Sequence, residues 1–260
     1  MNQKHSIIRK CLLAILLGVA NVVNAQKTYI VCVGVGANNS SSELEELPNP
    51  VIDMRAISKF YNNYNGAKPF VLLDDNATRS HILKVLKQEF SKSTPNDEII
   101  FAYSGHGHPD GFVATYNFRD REFLFCSEVQ EIMLKAKARR KMMFVNSCHS
   151  GTFTLKYNDA DKKRPKYNKS SKVLLFLSSR ADEPSWSLSE SNKRSLFYHF
   201  LIKGLRGEAD KSGDRKVTAR ELFNYVAQNV EYTSKYFTEE GQHPVMWGQF
   251  PDDMVIVYVK

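Results

Sequence analysis

What the chain lacks narrows the field first. No low-complexity tract and no internal repeat runs through its 260 residues, so neither a disordered chain nor a repeat array is the starting assumption. The length suits one large α/β domain and leaves no room for a second full one. Past the N-terminal leader no apolar segment approaches the roughly 20 residues that a spanning helix needs. Basic residues exceed acidic ones by 36 to 28, a formal charge of +8. They are scattered, apart from Lys162-Lys163-Arg164 with Lys166 close by, and lack the interleaved aromatics of a strand-binding surface. Nucleic acid is therefore disfavoured as a partner. What is present is ordinary globular material, 42% apolar and 12% aromatic, enough to build a core.

The first 25 residues read as a secretion signal. Lys4, Arg9 and Lys10 form a basic start, an apolar stretch follows from Cys11 to Val23, and Val23-Asn24-Ala25 has the small-x-Ala cleavage pattern. Cleavage makes residues 1–25 a signal peptide, starts the mature chain at Gln26, and sends residues 26–260 to a periplasm or the medium as one domain, expected to be monomeric. Losing three basic and no acidic residues lowers the formal charge from +8 to +5. Three cysteines remain, Cys32, Cys126 and Cys148. An odd number leaves at least one thiol unpaired within the monomer, and such a thiol in an exported protein is a candidate for reactivity.

Along the chain, short β-branched runs alternate with helical periodicity. Thr28–Val35 (TYIVCVGV) reads as a strand buried on both faces. Val51–Tyr61 places Ile52, Ala56, Ile57 and Phe60 on one helical face. Strand Phe70–Leu73, a helix through Ile82, Leu83, Leu86 and Phe90, and strand Glu98–Tyr103 repeat the rhythm. A hairpin at Gly111–Phe118 precedes a helix around Ser127–Lys137 and strand Lys141–Val145. Strand Val173–Leu177, helices at about Leu196–Leu205 and Thr218–Tyr236, and a last strand Met254–Val259 complete the series. Alternation of this kind predicts a mainly parallel sheet whose active site lies at the carboxyl ends of its strands.

Two strands run into unusual loops at that end, Ser104-Gly105-His106-Gly107 and Asn146-Ser147-Cys148-His149-Ser150-Gly151. Glycines flanking His106 let the backbone turn sharply. A lone cysteine at a strand end is commonly a small buried hydrophobe, and a lone histidine a turn residue. As a pair they mean more. A thiol near its usual pKa of about 8.5 needs a neighbouring base or cation to act as a nucleophile, and His106 can supply one.

With SGHG and then N-S-C-H-S-G, the sequence resembles the caspase-like cysteine peptidases, most closely bacterial caspase-domain proteins and metacaspases of the caspase-hemoglobinase fold. Leu47–Asp53 (LPNPVID), Ser195-Leu196-Phe197 and His243–Gly248 (HPVMWG) extend the likeness over nearly all of Tyr29–Val259. The resemblance implies a three-layer α/β sandwich, a six-stranded mainly parallel sheet flanked by helices. It implies a Cys148–His106 dyad acting on polypeptide substrates, with the Gly107 and Cys148 N–H groups as the oxyanion hole and His149 as scaffold. By position, Asp53, Ser104 and Asn146 match the residues lining the metacaspase primary specificity pocket, where acidic groups select Arg or Lys. The family usually has aspartate where this chain has Asn146, which leaves Asp53 as the ionic partner and keeps open an inactive, scaffold-type domain. Ser185-Trp186 resembles the pair that binds substrate backbone, and Ser187 stands where caspases carry an arginine for acidic substrates.

Relatives are cut during activation between the cysteine and the next strand, which makes Lys162, Lys163, Arg164 and Lys166 candidate self-cleavage positions beside the alternative of a solvated loop. The chemistry requires no cofactor. Calcium is possible at Asp210, Ser212, Asp214, Thr218 and Glu221, which fit a calcium-loop register, although Arg215 occupies the usual glycine position. A turn into a helix capped by Thr218 explains the same residues.

Overall fold

In a computed structural model, residues 26–39, 44–154, 172–188, 194–236, 238–251 and 253–259 are described. The first apolar run forms β1, Thr28–Val35, buried at every position but Tyr29. Its neighbour β3, Glu98–Gly105, is buried along its whole length. With β2 (Phe70–Leu73), β7 (Arg140–Asn146), β8 (Leu174–Leu177) and β10 (Val245–Trp247), they make a six-stranded sheet in the order β10-β8-β7-β3-β1-β2. All pairings are parallel except that of β10 with β8. Central strands this apolar require cover on both faces. Ile30 and Cys32 of β1 point into one core with Met54, Phe144, Phe197 and Leu222. Val31 and Val33 point into the other with Leu86, Phe101, Val129 and Val145.

Five helices supply that cover: α1 (Asn49–Asn65), α2 (Arg79–Phe90), α3 (Cys126–Lys135), α4 (Leu196–Lys203) and α5 (Ala219–Ser234). Helices α1, α4 and α5 pack on one face, α2 and α3 on the other. Their ends follow local chemistry. Pro50 lies in the first turn of α1 and Gly66, at φ 68°, closes it in the left-handed region. Thr78 and Ser195 accept N–H bonds as caps of α2 and α4, and Thr218 with Glu221 forms a capping box on α5.

The structure departs from the sequence expectation in two places. The sixth strand of the sheet is β10, inside the HPVMWG segment, and not the C-terminal run; that run forms β11 (Val255–Tyr258), which pairs antiparallel with the unforeseen β9 (Lys216–Thr218) in a separate ribbon. The anticipated hairpin is the middle of a three-stranded unit: β4 (Gly107–His108), β5 (Phe112–Val113) and β6 (Leu124–Phe125). Strands of two or three residues are too short to show period-two patterning, so hydrogen bonding and not alternation defines them.

Candidate active site

Strands β3 and β7 are adjacent and parallel, with Ser104 opposite Asn146. Their carboxyl ends therefore open side by side, and His106 and Cys148 each lie two residues beyond that pair. The two loops are in direct contact. A Cβ placed on Gly107 would sit 2.3 Å from the Cys148 carbonyl oxygen and 2.6 Å from Ser147 Oγ, an approach that only glycine permits. Cys148 is half-buried, whereas Cys32 and Cys126 are sealed in the cores. Burial pushes the Cys126 thiol up to about 12 and the Cys32 thiol higher still, so neither is a nucleophile at neutral pH.

His106 Nε2 lies 2.7 Å from the backbone carbonyl of Glu45. A carbonyl oxygen only accepts, so Nε2 carries the proton and Nδ1 is the nitrogen left to exchange one. At Cys148 the Ser185 N–H points to Sγ at 3.5 Å, a main-chain donor set against the sulfur. The loop is backed by serines at the end of β8. Ser147 N–H donates to Ser178 Oγ at 3.1 Å, and the Ser147 carbonyl accepts from Ser178 and Ser185 hydroxyls at 3.1 and 3.0 Å. His149, at φ 58°, turns its ring to the back wall, with Nδ1 2.9 Å from the Ala181 carbonyl. Gly151 packs so closely that a Cβ there would lie 2.5 Å from the Ala181 nitrogen.

Beside the dyad lies a buried polar chain. Asn146 Nδ2 donates to Ser104 Oγ at 3.1 Å, Ser104 Oγ donates to Asp53 Oδ2 at 2.8 Å, and the Ser195 N–H donates to Asp53 Oδ1 at 3.2 Å. Burial pushes the Asp53 carboxyl up to about 7 against these hydrogen bonds and the field of Arg194. Asn146 Oδ1 is buried with no protein donor in reach.

The caspase-domain family model matches residues 30–255. This chain belongs to the caspase-domain family. Membership carries to it, at the coarse level, the class of a cysteine-peptidase domain. It is 30% identical over 158 residues to Metacaspase-1 of Schizosaccharomyces pombe, covering 49% of this chain and 37% of that protein. It is 28% identical over 149 residues to Metacaspase-1 of Cryptococcus neoformans var. neoformans serotype D, covering 48% of this chain and 32% of that protein. The matches thus span about a third of the length of these curated relatives. A crystal structure of a Geobacter sulfurreducens protein superposes with a TM-score of 0.64 at 14% identity, covering 90% of this chain and all of that one, a likeness of fold.

The caspase domain gathers Asp53, Ser104 and Asn146 into one hydrogen-bonded chain and sets Ser185 against Cys148, with the next residue, Trp186, partly exposed. Lys162, Lys163, Arg164 and Lys166 lie outside the described residues, as does the leader. Among the described residues no group of three or more His, Cys, Asp or Glu side chains is arranged to hold a metal. In the loop before α5, Asp210 accepts from Gly213 and Arg215 N–H groups at 2.8 and 3.0 Å, and Glu221 accepts from Ser212 and Thr218 N–H groups at 3.1 Å each. Those oxygens serve a turn and a helix cap. No helix among the described residues is long and apolar enough to cross a membrane. The Glu45 carbonyl and Ser178 escaped the sequence reading. A main-chain acceptor leaves no residue-type signature, and a serine at a strand end reads as an ordinary loop residue.

Proposed function

We propose that this chain is an exported cysteine endopeptidase that cuts polypeptides after Arg or Lys by a Cys148–His106 dyad. The observation that carries the reading is the contact of Gly107 with Cys148, which joins the imidazole turn and the half-buried thiol at one edge of the sheet. In the reaction Cys148 passes its thiol proton to His106 Nδ1 as Sγ attacks the scissile carbonyl carbon, and negative charge gathers on the carbonyl oxygen beside the Gly107 and Cys148 N–H groups. The C–N bond breaks as His106 gives its proton to the leaving amine. Water, deprotonated by the neutral imidazole, then hydrolyses the thioester and restores the thiol. No step calls for a metal or cofactor.

Support for a basic residue before the cut comes from the acceptors at the Asp53 end. Asp53 accepts from the Ser104 hydroxyl and from the Ser195 side chain and N–H, which aligns the carboxyl at the end of the polar chain, and Asn146 Oδ1 has no protein donor. Replacing the usual aspartate with Asn146 removes a charge but leaves an acceptor, so an ammonium or guanidinium group finds partners while Arg and Lys are separated only weakly. Self-cleavage after Lys162, Lys163, Arg164 or Lys166 follows from the same preference, and its product is read by N-terminal sequencing. The deciding experiment offers peptides ending in Arg, Lys, Asp or Asn to the native chain and to Cys148→Ala. Cleavage after Arg and Lys that vanishes in the variant is expected; cleavage after none of the four, with Cys148 alkylatable and the fold intact, overturns the reading in favour of a scaffold protein.

A further inference from the structure

The loop that backs the nucleophile is itself held from outside. Besides the Ser178 and Ser185 contacts to Ser147, residues 178–186 touch the Cys148 loop through the His149 N–H, which donates to the Glu183 carbonyl at 2.9 Å, through His149 Nδ1 at the Ala181 carbonyl, and through the Ser185 N–H at Cys148 Sγ. Two consecutive residues after α5 grip that loop. The Gln242 side chain, fully buried, bridges it end to end: Nε2 donates to the Ser178 carbonyl at 2.7 Å and Oε1 accepts the Trp186 N–H at 2.9 Å. The His243 N–H donates to Glu183 Oε2 at 2.9 Å, and its Nδ1 donates to Glu183 Oε1 at 2.7 Å. The grip is anchored on α5, because the Gln242 N–H donates to Ser234 Oγ at 2.7 Å.

We propose that Gln242 and His243 are positioning residues with separate tasks: His243, through Glu183, holds the Cys148 loop in register, and Gln242 holds the Trp186 segment that receives substrate backbone. The division follows from connectivity. Glu183 is tied by its carboxylate to His243 and by its carbonyl to His149, the residue after the nucleophile, so loosening His243 displaces the thiol. Gln242 fixes the main chain at Trp186, so loosening it displaces the substrate-binding edge. The proposal rests on the thiol-peptidase reading above. Displacement of a reacting group by about 1 Å costs up to about 100-fold in rate.

The test compares His243→Leu, His243→Asn and Gln242→Met in peptide hydrolysis and in the rate at which iodoacetamide alkylates Cys148. His243→Leu is expected to lower kcat and the alkylation rate by up to about 100-fold with KM within about twofold. His243→Asn keeps a donor near the Nδ1 position and recovers most of the loss, which a generally destabilised loop would not do. Gln242→Met raises KM about tenfold, equivalent to losing about one net hydrogen bond, and slows alkylation far less than His243→Leu does. Wild-type rates in His243→Leu, equal damage in His243→Leu and His243→Asn, or joint movement of kcat and KM in both positions overturns the proposal. Should His243→Leu lose its near-UV dichroism, Glu183→Gln decides in its place by the same alkylation comparison. Should the native chain cleave no peptide, the peptidase reading fails while alkylation still decides the His243 arm.

Discussion

Asp53 has no exposed surface, and its carboxyl is pushed up to about 7 chiefly by burial, against hydrogen bonds from Ser195 and Ser104 and the charge of Arg194. The folded group therefore holds a proton that an unfolded carboxyl releases near 4. The sign is set by that difference: between about pH 4 and 7 the folded state binds more protons, so stability falls as pH rises through this window. Asp53→Asn should flatten that slope, as read by denaturant midpoints across the range. Ionisation has a second effect. Preference for Arg over Gln before the cut should grow as pH rises through about 7, measured as a ratio of kcat/KM values, and Asp53→Asn should make the ratio independent of pH. At Gly107, substitution by Ala would force the two loops apart, because a Cβ would fall 2.3 Å from the Cys148 oxygen. A loss of about 100-fold in kcat with unchanged far-UV dichroism is the expected result.

Elements hold one another at the opposite edge of the sheet. Glu98 at the start of β3 is buried and pairs with Arg140 at the start of β7 at 3.0 Å. Burial raises the Glu98 carboxyl and the Arg140 charge opposes that rise. The same guanidinium donates to the Val255 carbonyl, tying the β9–β11 ribbon to the sheet. Arg140→Ala strands a buried carboxylate and should cost about 3–5 kcal/mol in chemical denaturation, whereas Arg140→Met with Glu98→Gln should cost much less. At this scale the sequence was most legible where burial was complete. The continuous apolar runs of β1, β3, β7 and β8 left no choice but two-sided cover, and α1 and α2 followed from 3.6-residue spacing. Strand β10 was hidden because three half-buried residues carry no period, and β11 misled because an apolar C-terminal run looks the same in the sheet or beside it.

For the whole molecule, the order of strands was not readable, since alternation predicts parallel pairing without fixing neighbours, and the resemblance implied only a six-stranded, mainly parallel sheet. Cys148 and His106 were singled out because a thiol and an imidazole stand just past strand ends, and Asp53, inside α1, through the resemblance alone. The Glu45 carbonyl, Glu183 and Gln242 were not, because they act through main-chain contacts that depend on how distant loops meet. Strands β7 and β8 lie edge to edge in four register pairs, although residues 155–171 stand between them in the sequence. Severing the backbone in that interval would leave two fragments interlocked by ladder bonds and a shared interior, so a nick there changes covalent connectivity without disassembling the particle.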